Sequence, residues 1–388
     1  MQLSLSHIAL RYPLQAYSII TNQTNGYLSD SLLVYDTQNY LSKMPPLTGV
    51  TRNGLPVEVF ADVYCDPSPR FTPNSNISDI ILSYKQNGYV IISGLYDRKE
   101  CASLRHAWSC VKQSSRFLYR QASGFLEKNI FNDDGYVSNP ILNIQSLDGR
   151  FFAPLRGLFD NVILASPVLA SVTEKIVEDD PLVVQSMYFE GNSITWEHQD
   201  SYYLDDARIG MMAGAWIALE DIHPTAGRFF VIPKSHLNDL SDVSLAKSHS
   251  TNHSNYIRSI VDNCISTGCN AIAPAMEAGD VLIWNSLTIH GSLQHEQPGP
   301  SRSSITLHII GNNSKLLSHR TRLSKPSPKE RIFRNLYLYR PKDQRRLINR
   351  LIYHFEIVAN RPFRFIKRAI NHINVIFNCC LRVTVNPQ

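Results

Sequence analysis

The chain has 388 residues, 43% of them hydrophobic and 18% charged, which suits a folded globular protein and excludes a disordered or collagen-like polymer. That length fits one large domain with extensions, or two domains. The net charge of +5 is uneven: Lys315 to Arg382 holds 17 Lys and Arg against 3 acidic residues, so an acidic body of charge −9 carries a basic tail of +14.

Residues 1–75 read as an irregular N-terminal extension that wraps the core, with turn signals at Asn25-Gly26, Pro45-Pro46 and Asn53-Gly54. Ser78 caps a short helix through Gln86, with Gly88 at its end. Tyr89-Val90-Ile91-Ile92 reads as a strand. Asp97 and Glu100 form a capping-box pattern for a second helix through Trp108. Residues 163–178 read as helical. After Pro181 the pattern changes to strands over Leu182–Glu190, Trp196–Tyr203, Met211–Leu219, Arg228–Ile232, Val281–Trp284 and Ser304–Ile310. Short strands separated by turn residues point to a sandwich or barrel. The loop from Asp239 to Pro274 is long enough to act as a lid.

Beyond residue 314 the segment is basic and expected to be helical. Leu347, Ile348, Leu351, Ile352 and Phe355 recur at helical spacing, with Arg345, Arg346 and Arg350 among them. Arg361-Pro362 breaks the pattern, and a second basic, apolar stretch follows with Phe365, Ile366, Ile370, Ile373 and Phe377. Such a tail either covers the acidic body with its apolar face or lies on an anionic membrane. Nucleic acid is not an expected partner, because no zinc finger or RNP-like pattern accompanies the charge. Seven cysteines, an odd number without paired spacing, fit a reducing cytoplasm. No signal peptide is expected, and no apolar run approaches the roughly 20 residues of a membrane span.

One tripeptide carries chemistry. In His198-Gln199-Asp200, side chains at i and i+2 of a strand share a face, so both can grip one metal ion. His290, in Trp-Asn-Ser-Leu-Thr-Ile-His-Gly-Ser, lies 92 residues on and follows a strand. Two histidines and one carboxylate on one face mark non-haem Fe(II) sites with open positions. The bland alternative is a solvated strand pair. Arg302 starts the strand of Ser303 to His308, and its guanidinium suits the far carboxylate of a dicarboxylate co-substrate. Ser304 shares its face; a surface salt bridge is the alternative for Arg302.

His198-Gln199-Asp200, Trp216 in Ala-Gly-Ala-Trp-Ile-Ala-Leu-Glu-Asp, Pro233-Lys234-Ser235-His236, His290-Gly291-Ser292 and Arg302 occur in an order that resembles the phytanoyl-CoA dioxygenase family of Fe(II)/2-oxoglutarate oxygenases. Asn87 to Ile92 resembles that family's opening helix-to-strand passage, and the resemblance spans residues 78–312. It implies a mainly β fold with flanking α: a double-stranded β-helix (jelly-roll or cupin) core over residues 76–313, with helical N- and C-terminal extensions. It implies iron on His198, Asp200 and His290, and 2-oxoglutarate held by Arg302 with Ser292 or Ser304. Trp216 would line that pocket, unless it simply packs in the core, and Gln185 would reach the pocket from a neighbouring strand. It further implies dioxygen as reactant, succinate as product, and hydroxylation of a small-molecule or lipid-like substrate, with desaturation or ring closure as the alternative outcomes. An intact Asp200 argues against halogenation, since related halogenases lack this carboxylate. Arg228 stands where relatives carry a small or apolar residue; it reads as a surface pair, with an acidic substrate as the alternative. A metal-binding cupin without oxygenase activity is the rival function.

Overall fold

Helix boundaries follow local chemistry. The computed structural model describes residues 46–191, 195–240, 253–295 and 298–359. Helix α1 (Ile77–Asn87) is capped by Asn76, whose side chain accepts from the Ser78 N–H, two residues before the expected cap. It ends at Gly88, whose φ of 81° is left-handed and where a Cβ would strike His236 and Thr288. Helix α2 (Arg98–Ser109) has the full Asp97–Glu100 capping box. Helices α3 (Ala153–Leu158), α4 (Pro167–Val177), α5 (His253–Thr267) and α6 (Leu347–Ala359) follow.

The strands begin earlier than expected. β1 (Leu47–Val50), β2 (Pro56–Val59) and β3 (Arg70–Phe71) lie in the segment expected to be irregular. β4 is Tyr89–Ile92; β5 (Leu118–Tyr119), β6 (Leu126–Glu127) and β7 (Ile141–Leu142) are short. Then come β8 (Pro181–Phe189), β9 (Thr195–His198), β10 (Leu204–Asp206), β11 (Ala213–Ala218) and β12 (Phe229–Val231). β13 (Ala271–Ala273), β14 (Val281–Asn285), β15 (His290–Ser292) and β16 (Ser304–Gly311) complete the core. The stretch from 314, expected to be helical, instead forms β17 (Leu316–Ser318), β18 (Arg322–Ser324), β19 (Lys329–Phe333) and β20 (Leu336–Tyr339) before α6.

Eight of these strands build two facing sheets. The larger runs β8-β16-β11-β14 through its centre, flanked by β4 and β3 on one side and β20 and β19 on the other. The smaller runs β9-β15-β12-β13 and is extended by β2 and β1. Apart from β12 and β13, which pair with each other, consecutive strands of the eight alternate between the sheets while distant strands pair, antiparallel throughout the eight. That is the jelly-roll connectivity, a double-stranded β-helix.

Period-two alternation assigns the faces. Ile305, Leu307 and Ile309 of β16 and Ala213, Ala215 and Ile217 of β11 pack outward on Leu104, Trp108 and Leu169 of the helices. The alternate residues, including Trp216, Leu282 and Trp284, face the smaller sheet and meet Val231 and Ile272. Gly214 sits opposite Trp284, and a Cβ on it would overlap the indole. Residues 1–45, and the second apolar stretch around Phe365–Phe377, lie outside the described residues.

Candidate metal centre

His198 and His290 come together because β9 and β15 are neighbours, with the two histidines directly paired. Their ring centroids are 4.3 Å apart. Asp200 is not on the strand with His198, as expected from sequence: β9 ends at His198, and Asp200 opens a 3-10 turn over Asp200–Tyr202. The turn still delivers the carboxylate. Its Oδ1 lies 3.5 Å from Nε2 of both histidines, and one ligand atom from each residue falls within 4.8 Å of the others.

The backbone sets both tautomers. His198 Nδ1 is 2.8 Å from Trp196 O, and His290 Nδ1 is 2.9 Å from Thr288 O. A carbonyl only accepts, so each Nδ1 carries the hydrogen and each Nε2 presents a lone pair to the shared space. Burial pushes the His290 pKa down to about 4, so its imidazole is neutral at neutral pH. Burial would raise the Asp200 carboxyl, but His290, His308 and His198 outweigh it and hold the group well below the usual range. Two imidazole Nε2 atoms and one carboxylate therefore converge. Ligand bonds of about 2.1 Å at right angles put donors about 3 Å apart, so the 3.5 Å separations fit an ion after a small contraction.

The second oxygen of Asp200 is held from the opposite sheet. Trp284 Nε1–H donates to Oδ2 at 2.9 Å, and His308 Nε2 lies 3.3 Å from it. His308 Nδ1 is 2.8 Å from Gln185 Oε1 on the paired strand β8. Gln185 thus supports His308. Neither Trp284 nor His308 was singled out from sequence, yet a period-two count from Arg302 places His308 on the inner face. Partners behind a metal ligand typically change metal affinity about 10- to 100-fold. Trp284→Phe keeps the ring and removes only the N–H. It is expected to weaken Fe(II) binding by roughly that factor, measured by anaerobic titration.

Arg302 is buried; its Nη1 donates to Gly227 O at 2.9 Å and its guanidinium lies 5.4 Å from the Phe189 ring. Burial lowers its pKa to about 9, which leaves a cation at neutral pH. Ser304 Oγ donates to Arg302 O, and Ser292 Oγ accepts from Thr195 N–H at 2.9 Å. Trp216 stacks on Phe229, which in turn stacks on His290 and leans on Trp284. Trp216 is therefore part of the buried wall that reaches the metal ligands.

Arg228 is a correction: it is buried, not a surface pair. Its guanidinium donates to the carbonyls of Ile222 and Phe60, and burial lowers its pKa to about 10. The cation ties the strand to the preceding loop. Glu197 points away from the metal ligands, bonded to Thr51 and Asn53.

Tyr203 edges onto His198 at 5.5 Å and accepts from Trp196 Nε1, while Tyr202 stacks on Tyr256 of α5. Beside them a cavity of about 400 Å³ is lined by Arg52, Asn53, Trp196, His253, Ile257 and Arg258. Of the segment expected to be a lid, α5 contributes to this wall, β13 joins the smaller sheet, and residues 241–252 lie outside the described residues.

Among curated proteins, a phytanoyl-CoA dioxygenase domain-containing protein 1 of Danio rerio is 28% identical over 187 residues, covering 40% of this chain and 64% of the relative. This match thus spans just under two thirds of that protein. Phytanoyl-CoA dioxygenase 1 of Oryza sativa subsp. japonica is 27% identical over 228 residues, covering 56% of this chain and 77% of the relative. Among solved structures, the non-heme alpha ketoglutarate dependent carbocyclase SnoK of nogalamycin biosynthesis has a TM-score of 0.45 at 18% identity, covering 66% of this chain and 94% of its own. EctD from S. alaskensis, solved with 2-oxoglutarate and 5-hydroxyectoine, has a TM-score of 0.43 at 18% identity, covering 63% and 79%. The family model described as Phytanoyl-CoA dioxygenase (PhyH) matches residues 84–304, a span running from α1 to the start of β16 and holding all three converging ligands. The chain belongs to the phytanoyl-CoA dioxygenase family.

Proposed function

We propose that this protein is an Fe(II)- and 2-oxoglutarate-dependent dioxygenase that hydroxylates a C–H bond of a small-molecule or lipid-like substrate. The observation that carries the reading is the convergence of two Nε2 lone pairs and one carboxylate oxygen on one buried point. This donor set, with half of an octahedron left open, is that of non-haem Fe(II) oxygenases. When bound, the iron would supply oxidative chemistry with dioxygen and 2-oxoglutarate, the latter leaving as succinate and carbon dioxide.

The chain's own residues do the rest. His198, Asp200 and His290 would hold the metal, and the bonds behind them keep each donor aimed. Arg302 would fix the far carboxylate of 2-oxoglutarate with a charge-assisted contact, helped by Ser304, two residues on, or by Ser292 of β15. The aromatic wall of Trp216, Phe229 and Trp284 excludes water from that side of the site. The cavity beside Trp196 is the candidate entry for substrate, and its mixed apolar and cationic lining fits a molecule with an apolar body and an acidic group. We also place the protein in a reducing compartment such as the cytoplasm: all five described cysteines are free.

Anaerobic addition of Fe(II) and then 2-oxoglutarate is expected to produce a weak visible charge-transfer band. Under air, succinate release should then be stimulated by the true substrate from a panel of small molecules and lipids, with one oxygen atom gained by the product. A folded protein that binds no Fe(II) and shows no band would sink this reading. The alternative metal-binding cupin would bind metal but be indifferent to 2-oxoglutarate.

A further inference from the structure

Helix α6 turns its apolar side outward, which the oxygenase chemistry leaves unexplained. Leu347, Ile348, Leu351, Ile352, Phe355 and Val358 are each 40–72% exposed. At about 100° per residue they fall within an arc of roughly 140°. The opposite side is tied to the body by polar contacts. Tyr353 OH donates to Phe117 O at 2.9 Å, Tyr119 OH donates to Glu356 at 2.7 Å, and Asn349 Nδ2 donates to Asp343 O at 2.9 Å. A helix that serves a water-soluble surface has the reverse arrangement, apolar side in. Covering the acidic body was the bland expectation for this segment, and the orientation of α6 overturns it.

Charge decides what the arc meets. From Lys342 to Arg368 there are eight basic and two acidic residues. Both acids are engaged within the protein: Asp343 by Arg345 and Arg156, Glu356 by Lys342 and Tyr119. Arg346 and Arg350 have no carboxylate partner among the described residues; at 100° per residue Arg350 lies about 60° beyond the edge of the apolar arc, while Arg346, one residue before the helix, lies across from the centre of the arc. A second copy of the helix would bring like charges together. Residues 361–388 carry five basic and no acidic residues, so covering the arc with that segment meets the same repulsion. An anionic lipid surface complements both the arc and the cations. Thirteen residues make about 20 Å of helix against a hydrocarbon core of about 30 Å. No single described helix is long and apolar enough to cross a membrane. A surface-lying contact is what remains.

We propose that α6 is an interfacial helix that docks this protein on anionic bilayers, its apolar arc seated among the headgroups, with Arg350 at the edge of the arc on the lipid phosphates and the surrounding positive charge adding to the attraction. Nothing in this proposal requires the oxygenase reading, and its test uses no substrate. The full chain is incubated with vesicles of phosphatidylcholine, with and without phosphatidylserine, and sedimented. Binding to the anionic vesicles that falls with added salt is expected. Leu351→Asp with Phe355→Asp should reduce it at least about 10-fold, and Arg346→Glu with Arg350→Glu should remove the phosphatidylserine preference. These side chains are outside the core, so the melting temperature should stay close to that of the wild type in both variants and shows that each is folded. No sedimentation with either vesicle, or equal binding by the Asp variant, overturns the proposal. So does a wild-type dimer in analytical ultracentrifugation that the Asp variant dissociates, which makes the arc a self-interface. Vesicle binding or hydrophobic-dye binding that rises on removing residues 361–388 also overturns it, because that segment would then be the cover.

Discussion

Asp200→Ala is expected to abolish turnover and to weaken Fe(II) binding by more than the roughly 100-fold upper figure for residues behind a ligand. The reason is charge as well as geometry. Asp200 supplies the one anionic donor of the set, and of the imidazoles that remain His290 is held neutral by burial. The variant also leaves the Trp284 indole N–H without its acceptor, at a cost of about 1–3 kcal/mol of folding stability. Iron titration and a melting curve on the metal-free protein separate the two effects. Near-wild-type Fe(II) affinity in the folded variant would remove Asp200 from the metal centre. Trp284→Phe provides the graded comparison, since it disturbs the same carboxylate without removing it.

Arg302→Ala should act on the co-substrate and spare the metal. Removing one member of a buried charge-assisted contact typically costs about 2–5 kcal/mol, which corresponds to a roughly 30-fold or greater rise in the 2-oxoglutarate concentration needed for half-maximal succinate release. Fe(II) affinity, by contrast, should stay within a few-fold, because Arg302 does not contact the three ligands. A variant that loses iron and 2-oxoglutarate together would show that Arg302 serves the fold through Gly227 and Phe189 instead. Arg302→Lys keeps the charge but not the two-pronged geometry and should fall between the two.

Local patterns were readable where the determinant lies within a few residues. The Asp97–Glu100 box and the strand at Tyr89–Ile92 appear as expected, because capping and alternation act over one turn or one pleat. Three features were not readable, each because the deciding partner is distant. The stretch 46–75 looked irregular, yet β2 finds a parallel partner in β13, over 200 residues later. The strand expected to run through Tyr203 stops at His198, where the chain turns to let Trp284 and His308 hold Asp200 from the other sheet. The Arg-rich segment after Lys315 hides four strands: Leu336 and Leu338 form the buried face of β20, and the buried cations Arg320 and Arg340 are paired with Asp239 and with Asp160 and Glu330.

By itself, the order of residues determined the chemistry that this protein has available. His198, Asp200, His290 and Arg302 are chosen by type and spacing, since only particular donors bind a metal and only a cation suits a carboxylate. Tertiary structure alone decided which groups stand behind them. Gln185, Trp284 and His308 act through contacts across two sheets, and no periodicity encodes which strand will lie opposite. It also decided direction. The amphipathic pattern of α6 shows in sequence that one side is apolar, but a helix can rotate about its axis. Only the bonds of Tyr353 and Glu356 to the body turn that side toward solvent.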